Sequence, residues 1–143
     1  MKEKKLFIDS IKKSFGRNFL IEKESSGRWY ISLKKGQLRE VVSFLLKEKG
    51  FRFSTASAVD LLHAFEILYH FSADREGIFL SLRLSLKRER PSIPSLSNLL
   101  PCALFIEREM RELMGIFFEG HPDKKNLLLP DDWPKGNYPL RKP

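Results

Sequence analysis

The chain reads as an α+β protein, a two-layer domain with helices packed on one mixed five-stranded sheet, followed by an extended C-terminal arm. Three patterns predict it. Apolar residues recur at helical spacing in three separate stretches, and apolar residues alternate with less apolar ones over Phe65 to Phe71 and again, after a turn, over Leu80 to Lys87. The order helix, two strands, helix, three strands, helix then leaves a last segment without periodicity. The expected division is an α+β domain over residues 1–118 and an irregular arm over residues 119–143.

Taken in order, Phe7, Ile8, Ile11 and Phe15 share one helical face, and Gly16 can end that helix. Phe19 to Glu24 and Trp29 to Lys34 predict two strands around the turn Ser25-Ser26-Gly27; in the second, Trp29, Ile31 and Leu33 alternate with Tyr30, Ser32 and Lys34. Leu38, Val41, Val42, Leu45 and Leu46 form a helical stripe closed by Gly50. Phe51 to Val59 is a weaker strand ending at Asp60. Phe65, Ile67, Tyr69 and Phe71, a turn from Ala73 to Gly77, and Leu80, Leu82, Leu84 and Leu86 together predict a hairpin with one buried face. Pro91 to Pro101 is a proline- and serine-rich connection, and Ala103 to Met114 the last helix.

With 143 residues, 42% hydrophobic and 31% charged, the chain fits one domain with an ordinary core. Its apolar runs are far shorter than the roughly 20 residues that span a bilayer, so membrane contact is expected to be indirect. Cys102, the only cysteine, leaves no intrachain disulfide or cluster ligation, and is expected to be a small buried apolar side chain beside Ala103 and Leu104. The net charge of +8 suggests an acidic partner, anionic lipid or nucleic acid. Lys and Arg are nevertheless spread along the chain among Glu and Asp, and no aromatic-glycine motif offers a stacking platform, so no nucleic-acid partner is expected. Arg83 to Arg90, the densest basic stretch, reads as a solvated strand face and turn.

No catalytic, cofactor-binding or metal-ligating residue is expected. His63, His70 and His121 form no metal-binding spacing. His121-Pro122-Asp123 imitates a ligand pair, but a turn in which Asp123 takes backbone donors fits better. The glycines Gly16, Gly27, Gly36 and Gly50 fit helix ends and turns rather than a phosphate loop, and no serine stands in a nucleophile elbow.

Glu107 to Lys142 carries the functional signal. A helical wheel at about 100° per residue puts Ile106, Met110, Leu113 and Met114 on one side and Glu107, Arg108, Arg111 and Glu112 on the other. Glu109 falls at the edge of the apolar stripe, where a carboxylate needs a partner. The run has two readings. Glu107 with Arg111 and Arg108 with Glu112 are ordinary i,i+4 pairs on a solvated helix, or the charges belong to a contact surface. After Gly115, the residues Gly120, Pro122, Pro130, Pro134, Gly136 and Pro139 forbid another long helix. Ile116, Phe117, Phe118, Leu127, Leu128, Leu129, Trp133, Tyr138 and Leu140 give this segment more apolar surface than a linker needs. It reads as an arm with too few periodic contacts to fold alone, lying against another protein. On that reading Arg108 and Glu109 face the partner, and replacing either with Ala leaves the monomer's stability unchanged.

The order Glu107-Arg108-Glu109, Glu112, Gly115-Ile116, Gly120-His121-Pro122-Asp123, Leu127 to Leu129, Pro130-Asp131-Asp132-Trp133 and Pro139-Leu140-Arg141-Lys142 resembles the signature of the thirty-kilodalton subunit family of complex I. The likeness is specific over 101–142 and extends through the order of elements to about residue 28. It implies a non-catalytic docking subunit without a cofactor of its own, on the cytoplasmic side of the cell membrane. The implied partners are a large catalytic subunit of quinone-site or nickel-iron type and a small iron-sulfur subunit, which hold the iron-sulfur clusters and any nickel-iron centre. The docking residues it implies are Arg108, Glu109, Glu112, His121, Asp123, Leu127, Leu128, Leu129, Asp131, Asp132, Trp133, Tyr138, Leu140 and Arg141. Members from complex I continue past the Pro-Leu-Arg-Lys element, whereas this chain stops at Pro143. The stretch Pro134-Lys135-Gly136-Asn137-Tyr138 resembles the small subunit of membrane-bound, energy-converting hydrogenases, which makes a ferredoxin-linked, ion-translocating complex the preferred setting over an NADH–quinone oxidoreductase. The reading from another class is a free-standing basic module for nucleic acid or anionic membranes, marked by a steep salt dependence.

Overall fold

A computed structural model describes residues 2–15, 19–25 and 27–143. The helix end expected at Gly16 and the turn residue Ser26 lie outside the described residues. The elements run α1 (Lys2–Phe15), β1 (Leu20–Ser25), β2 (Arg28–Ser32), a 3-10 turn (Lys35–Gln37), α2 (Leu38–Lys47), β3 (Arg52–Asp60), β4 (Ala64–Ala73), β5 (Ile78–Lys87), β6 (Ser92–Pro94), α3 (Ala103–Met114) and β7 (Phe117–Glu119).

The main sheet has the order β1-β2-β5-β4-β3. β1 and β2 are antiparallel, with Glu22 opposite Tyr30, whereas β2 and β5 are parallel, with Ile31 opposite Leu82. Parallel neighbours need a crossover, and α2, β3 and β4 supply it. Short turns, closed by Leu61 N–H on the Ala64 carbonyl at 2.9 Å and Gly77 N–H on the Asp74 carbonyl at 3.3 Å, make β3, β4 and β5 an antiparallel succession. The result is the expected mixed five-stranded sheet of an α+β fold.

The sequence pattern missed a second sheet. β6 and β7 pair in parallel, Ser92 with Phe117 and Ile93 with Phe118, inside stretches read as a connection and an arm. Three residues are too few for alternation to register, and Pro94 sits at the strand end.

The chain falls into two compact units, residues 1–55 with 68–84 and residues 56–67 with 85–143. In the first, Ile8, Ile11, Ile31, Leu38, Val41, Val42, Leu45, Tyr69, Phe71, Leu80 and Leu82 are each 2% exposed or less. Burying one such side chain stabilises by about 1.5–3 kcal/mol, so this stripe-to-strand packing dominates the unit. Phe15 meets Phe44 edge-on with ring centroids 4.7 Å apart. Arg52 grips Asp74 at 2.7 and 3.2 Å, but both are exposed, and such pairs contribute little.

The second unit buries Phe65, Ile67, Leu86, Ile93, Leu96, Ala103, Met110, Met114, Ile116 and Phe118. It holds α3 and the arm together. Asp60, buried at the end of β3, receives the Arg88 guanidinium and, at 2.8 Å, the Lys142 N–H. Arg88 also donates to the Leu61 carbonyl at 2.6 Å. One carboxylate therefore ties the last residues of the chain to a strand end 82 positions earlier.

The Arg88 hydrogen bond holds the Asp60 carboxyl below the usual carboxylate range, against the opposing effect of burial, with Lys142 N–H adding to it. A depressed carboxylate stabilises above its ordinary value, near about 4, and loses that contribution as pH falls through its lower folded value. The Lys142 amide is therefore expected to be protected from exchange at neutral pH and to lose protection in acid, below about pH 4. Asp60→Asn should lower that protection at neutral pH and abolish the acid transition; an unchanged acid profile in this variant would show that another group holds the terminus.

Candidate docking site

Helix α3 ends where Gly115 adopts φ 70° and donates its N–H to the Arg111 carbonyl at 2.9 Å, a left-handed terminus that favours glycine. Its buried residues are Ala103, Met110 and Met114, as a core helix requires, but also Glu107 and Glu112. This corrects the wheel, which put both carboxylates on an outward face. A wheel weighs only the helix's own residues, and here the remaining face is covered by chain from elsewhere in the unit.

Glu107 is 1% exposed. One carboxylate oxygen accepts the Ser95 hydroxyl at 2.6 Å and the other the Leu96 N–H at 2.6 Å. Glu112 accepts three consecutive backbone donors, Leu127 N–H at 2.8 Å, Leu128 N–H at 2.7 Å and Leu129 N–H at 3.4 Å. Converging N–H groups on one carboxylate form an anion nest, here filled by the chain's own side chain.

The arginines bind the arm's carbonyls. Arg108 donates to Lys125 O at 3.0 Å and Asn126 O at 2.6 Å, and pairs with the Asp123 carboxylate at 3.2 Å. Arg111 donates to Asp123 O at 2.8 Å and Lys125 O at 2.6 Å. The partners expected as i,i+4 neighbours on the helix thus reach into the arm. Burial, then the charge of Arg108, pushes the Arg111 guanidinium below its usual value, while Asp123 and Glu112 oppose that shift.

The arm begins with a turn at His121-Pro122-Asp123. Asp123 N–H donates to His121 Nδ1 at 3.0 Å, and the Asp123 carboxylate accepts Lys125 N–H at 2.9 Å. That backbone bond holds the Asp123 carboxyl below its usual range, with the charges of Arg108 and Lys125 adding to it and burial opposing. The turn expected at these residues is therefore present. Further along, Trp133 donates its indole N–H to Asn137 O at 2.9 Å. At the far end, Leu140 N–H reaches Leu113 O at 3.0 Å and Arg141 Nε reaches Met114 O at 2.8 Å. These are carbonyls that a helix leaves without partners, and a cation there also suits the helix dipole. The Arg141 guanidinium lies over the rings of Tyr138 and Phe65, at 4.4 and 4.8 Å.

The docking residues expected from sequence divide in three. Arg108, Glu112, His121, Asp123 and Arg141 are engaged within the unit and position the arm. Leu127, Leu129, Trp133 and Tyr138 are half-buried. Glu109, Leu128, Asp131, Asp132 and Leu140 are exposed. A groove of about 500 Å³ opens between the end of α3 and the arm, with Arg111, Gly115, Phe117, Leu129, Trp133 and Tyr138 in its lining. Glu107, Arg111, Gly115 and Asp60 are organising residues absent from the expected set. The Glu-Arg-Glu run signalled Glu107, whereas nothing local signals Asp60. Cys102 is exposed, which corrects its expected burial: it occupies the turn that starts α3, ahead of the helix's buried face. Among the described residues no three His, Cys, Asp or Glu side chains converge as a metal site would need. No described helix is long and apolar enough to cross a membrane.

Carboxylates and guanidiniums spent on backbone atoms define a scaffold that shapes a surface. The family described as "Respiratory-chain NADH dehydrogenase, 30 Kd subunit" matches residues 31–143, and the chain belongs to that family. The beta subunit of a membrane-bound hydrogenase from Pyrococcus furiosus is 28% identical over 99% of this chain and 86% of its own length. A subunit of the NADH-quinone oxidoreductase from Moorella thermoacetica is 38% identical over 74% of this chain and 72% of its own. Formate hydrogenlyase subunit 5 of Escherichia coli is 34% identical over 78% of this chain, which spans only 20% of that longer protein. The fold is shared with a chain of the membrane-bound sulfane sulfur reductase, an archaeal respiratory membrane complex, at a TM-score of 0.85 and 20% identity over 99% of this chain and 84% of that one.

The geometry separates Arg108 from Glu109, two residues expected to behave alike. Arg108→Ala should lower the monomer's unfolding free energy by about 1–3 kcal/mol, because three acceptors on the arm each lose one charged donor. Glu109→Ala should change it by less than about 0.5 kcal/mol. Denaturant titration of both variants checks this, and equal small effects would return Arg108 to the surface.

Gly115→Ala is a sharper probe. A Cβ there would lie 2.5 Å from Tyr138 Cε2 and 2.6 Å from Arg141 Nη2, on a backbone that disfavours side chains. The substitution should cost more than about 1 kcal/mol. It should also raise amide exchange at Leu140 and Arg141 before it affects the hairpin of β4 and β5.

Proposed function

We propose that this chain is the non-catalytic docking subunit of a complex I-related, membrane-bound oxidoreductase of the hydrogenase-like, ferredoxin-linked, ion-translocating kind. The observation that carries the proposal is the division of labour in the arm. Backbone groups of residues 123–129 and of Leu140 are held by α3, while large apolar side chains of the same unit stand outward: Leu128 is 64% exposed, Leu140 58%, Phe105 58% and Phe117 56%. Exposed apolar anchors on a fixed backbone are what a partner buries at low ordering cost.

On this proposal the partners are a large catalytic subunit of nickel-iron type and a small iron-sulfur subunit, which hold the redox centres while this chain holds none. The complex sits on the cytoplasmic side of the membrane, and this subunit touches the membrane only through it. The branch is favoured by the reach of the Pyrococcus furiosus hydrogenase subunit, similar over 99% of this chain, and by the Pro134 to Tyr138 stretch beside the groove. The second reading, the corresponding subunit of an NADH–quinone oxidoreductase, is favoured by the higher identity of the Moorella thermoacetica relative, 38% over a shorter span.

Two measurements test this. The chain purified alone is expected to be colourless and redox-silent; a stoichiometric chromophore that survives desalting would defeat the non-catalytic role. Affinity capture from native membranes is expected to recover a large nickel-containing subunit with this chain in fixed ratio. Recovery of a flavin-containing, NADH-oxidising assembly would move the chain to the NADH–quinone branch and leave docking intact.

A further inference from the structure

His121 stands where the arm leaves β7, and it is 9% exposed. Its two ring nitrogens face different partners. Nδ1 faces the Asp123 N–H at 3.0 Å, and a backbone N–H only donates, so Nδ1 must be the acceptor. The ring proton of the neutral form is then on Nε2, which donates to the Leu104 carbonyl on α3 at 3.1 Å. The ring thus bridges the helix to the first turn of the arm in one tautomer.

The charged groups around it come from both elements. Glu107 of α3 lies 3.9 Å from Nε2 and already takes Ser95 and Leu96 as donors. From the arm, Asp123 presents a carboxylate, itself held by Lys125 N–H and paired with Arg108 of α3.

We infer that His121 is a proton-operated latch on the first turn of the arm. An imidazolium carries a proton on both nitrogens and accepts nothing. Proton uptake at Nδ1 therefore sets a donor against the Asp123 N–H, and that bond is lost in either orientation of the ring. Glu107 supplies the alternative, since the charged ring can turn its donors to a carboxylate already within 3.9 Å. Without the bond from its own N–H, Asp123 is less firmly placed for Arg108 and Lys125. The release is local. Leu127 to Leu129 are held by Glu112 rather than by the ring's hydrogen bonds to Leu104 and Asp123. The neutral ring thus closes the turn at 121–125 and the charged ring opens it, while the middle of the arm stays seated.

The latch belongs to the isolated chain and is independent of the proposed partners. Nitrogen NMR of the labelled full-length chain at pH 8 is expected to show His121 Nδ1 without a proton and Nε2 with one. As the pH is lowered through the point at which the same spectra show the ring taking up its second proton, exchange of the Asp123 amide should quicken about tenfold per pH unit after correction for its intrinsic pH dependence. The Leu128 amide should not follow it. His121→Asn places a carbonyl oxygen at the position of Nδ1 and does not titrate, so the turn should stay protected and the response should vanish. A proton on Nδ1 at pH 8, an Asp123 amide indifferent to the ring's titration, or a pH response that persists in His121→Asn would each overturn the latch. The wild-type titration decides the matter even where the variant folds poorly.

Discussion

Backbone hydrogen bonding is the constraint on which the second unit depends. A segment that joins neither a helix nor a sheet must still satisfy its N–H and C=O groups where it is covered. Most of the arm belongs to that class, and side chains of α3 solve the problem. Glu112 takes three N–H groups, and Arg108 and Arg111 take carbonyls. Hydrogen bonds to charged groups contribute about 1.5–3 kcal/mol each, whereas ordering one residue's backbone costs about 1–2 kcal/mol. A few bonds do not offset a whole ordered arm, so their distribution matters. Anchors at His121, at Leu127 to Leu129 and at Leu140 to Lys142 divide the arm into short spans, and short spans leave less freedom to lose.

The choice of partners has a second consequence. A buried charge is tolerated only when it is paired or hydrogen-bonded. Here Glu107, Glu112 and Arg111 find main-chain atoms, and Arg108 and Glu107 also meet the ionisable side chains of Asp123 and His121. Main-chain partners are independent of side-chain identity. The side chains of Leu128, Asp131, Asp132 and Leu140 are therefore available to face outward, and a partner can be matched through them without disturbing what holds the arm. The helix sets the path of the arm, and the arm's side chains set the surface.

The elements legible in the sequence were those with enough length for periodicity. The stripe of Leu38, Val41, Val42 and Leu45 and the alternation of Leu80, Leu82, Leu84 and Leu86 each fix an element because burial repeats with its period. β6 and β7 were illegible, being three residues each and paired across α3. Glu109 and Leu128 stand exposed. Glu107 was misplaced because its burial comes from the Ser95–Leu96 turn and His121, which a wheel does not contain. The Asp60 to Lys142 bond spans 82 positions and has no local pattern at all.

Tyr138 shows how a loop becomes a feature of shape. Pro134 to Tyr138 would be a pliable insertion if it were free, and pliable loops discriminate partners poorly. It is fixed at both ends instead. Trp133 reaches across it to the Asn137 carbonyl, and Gly136, at φ 81°, makes the turn. Tyr138 lies against the guanidinium of Arg141 and occupies the space that only glycine leaves open at position 115. The stretch therefore forms one wall of the groove at the end of α3. A molecule that covers the end of α3 must meet that wall in the shape the helix terminus gives it.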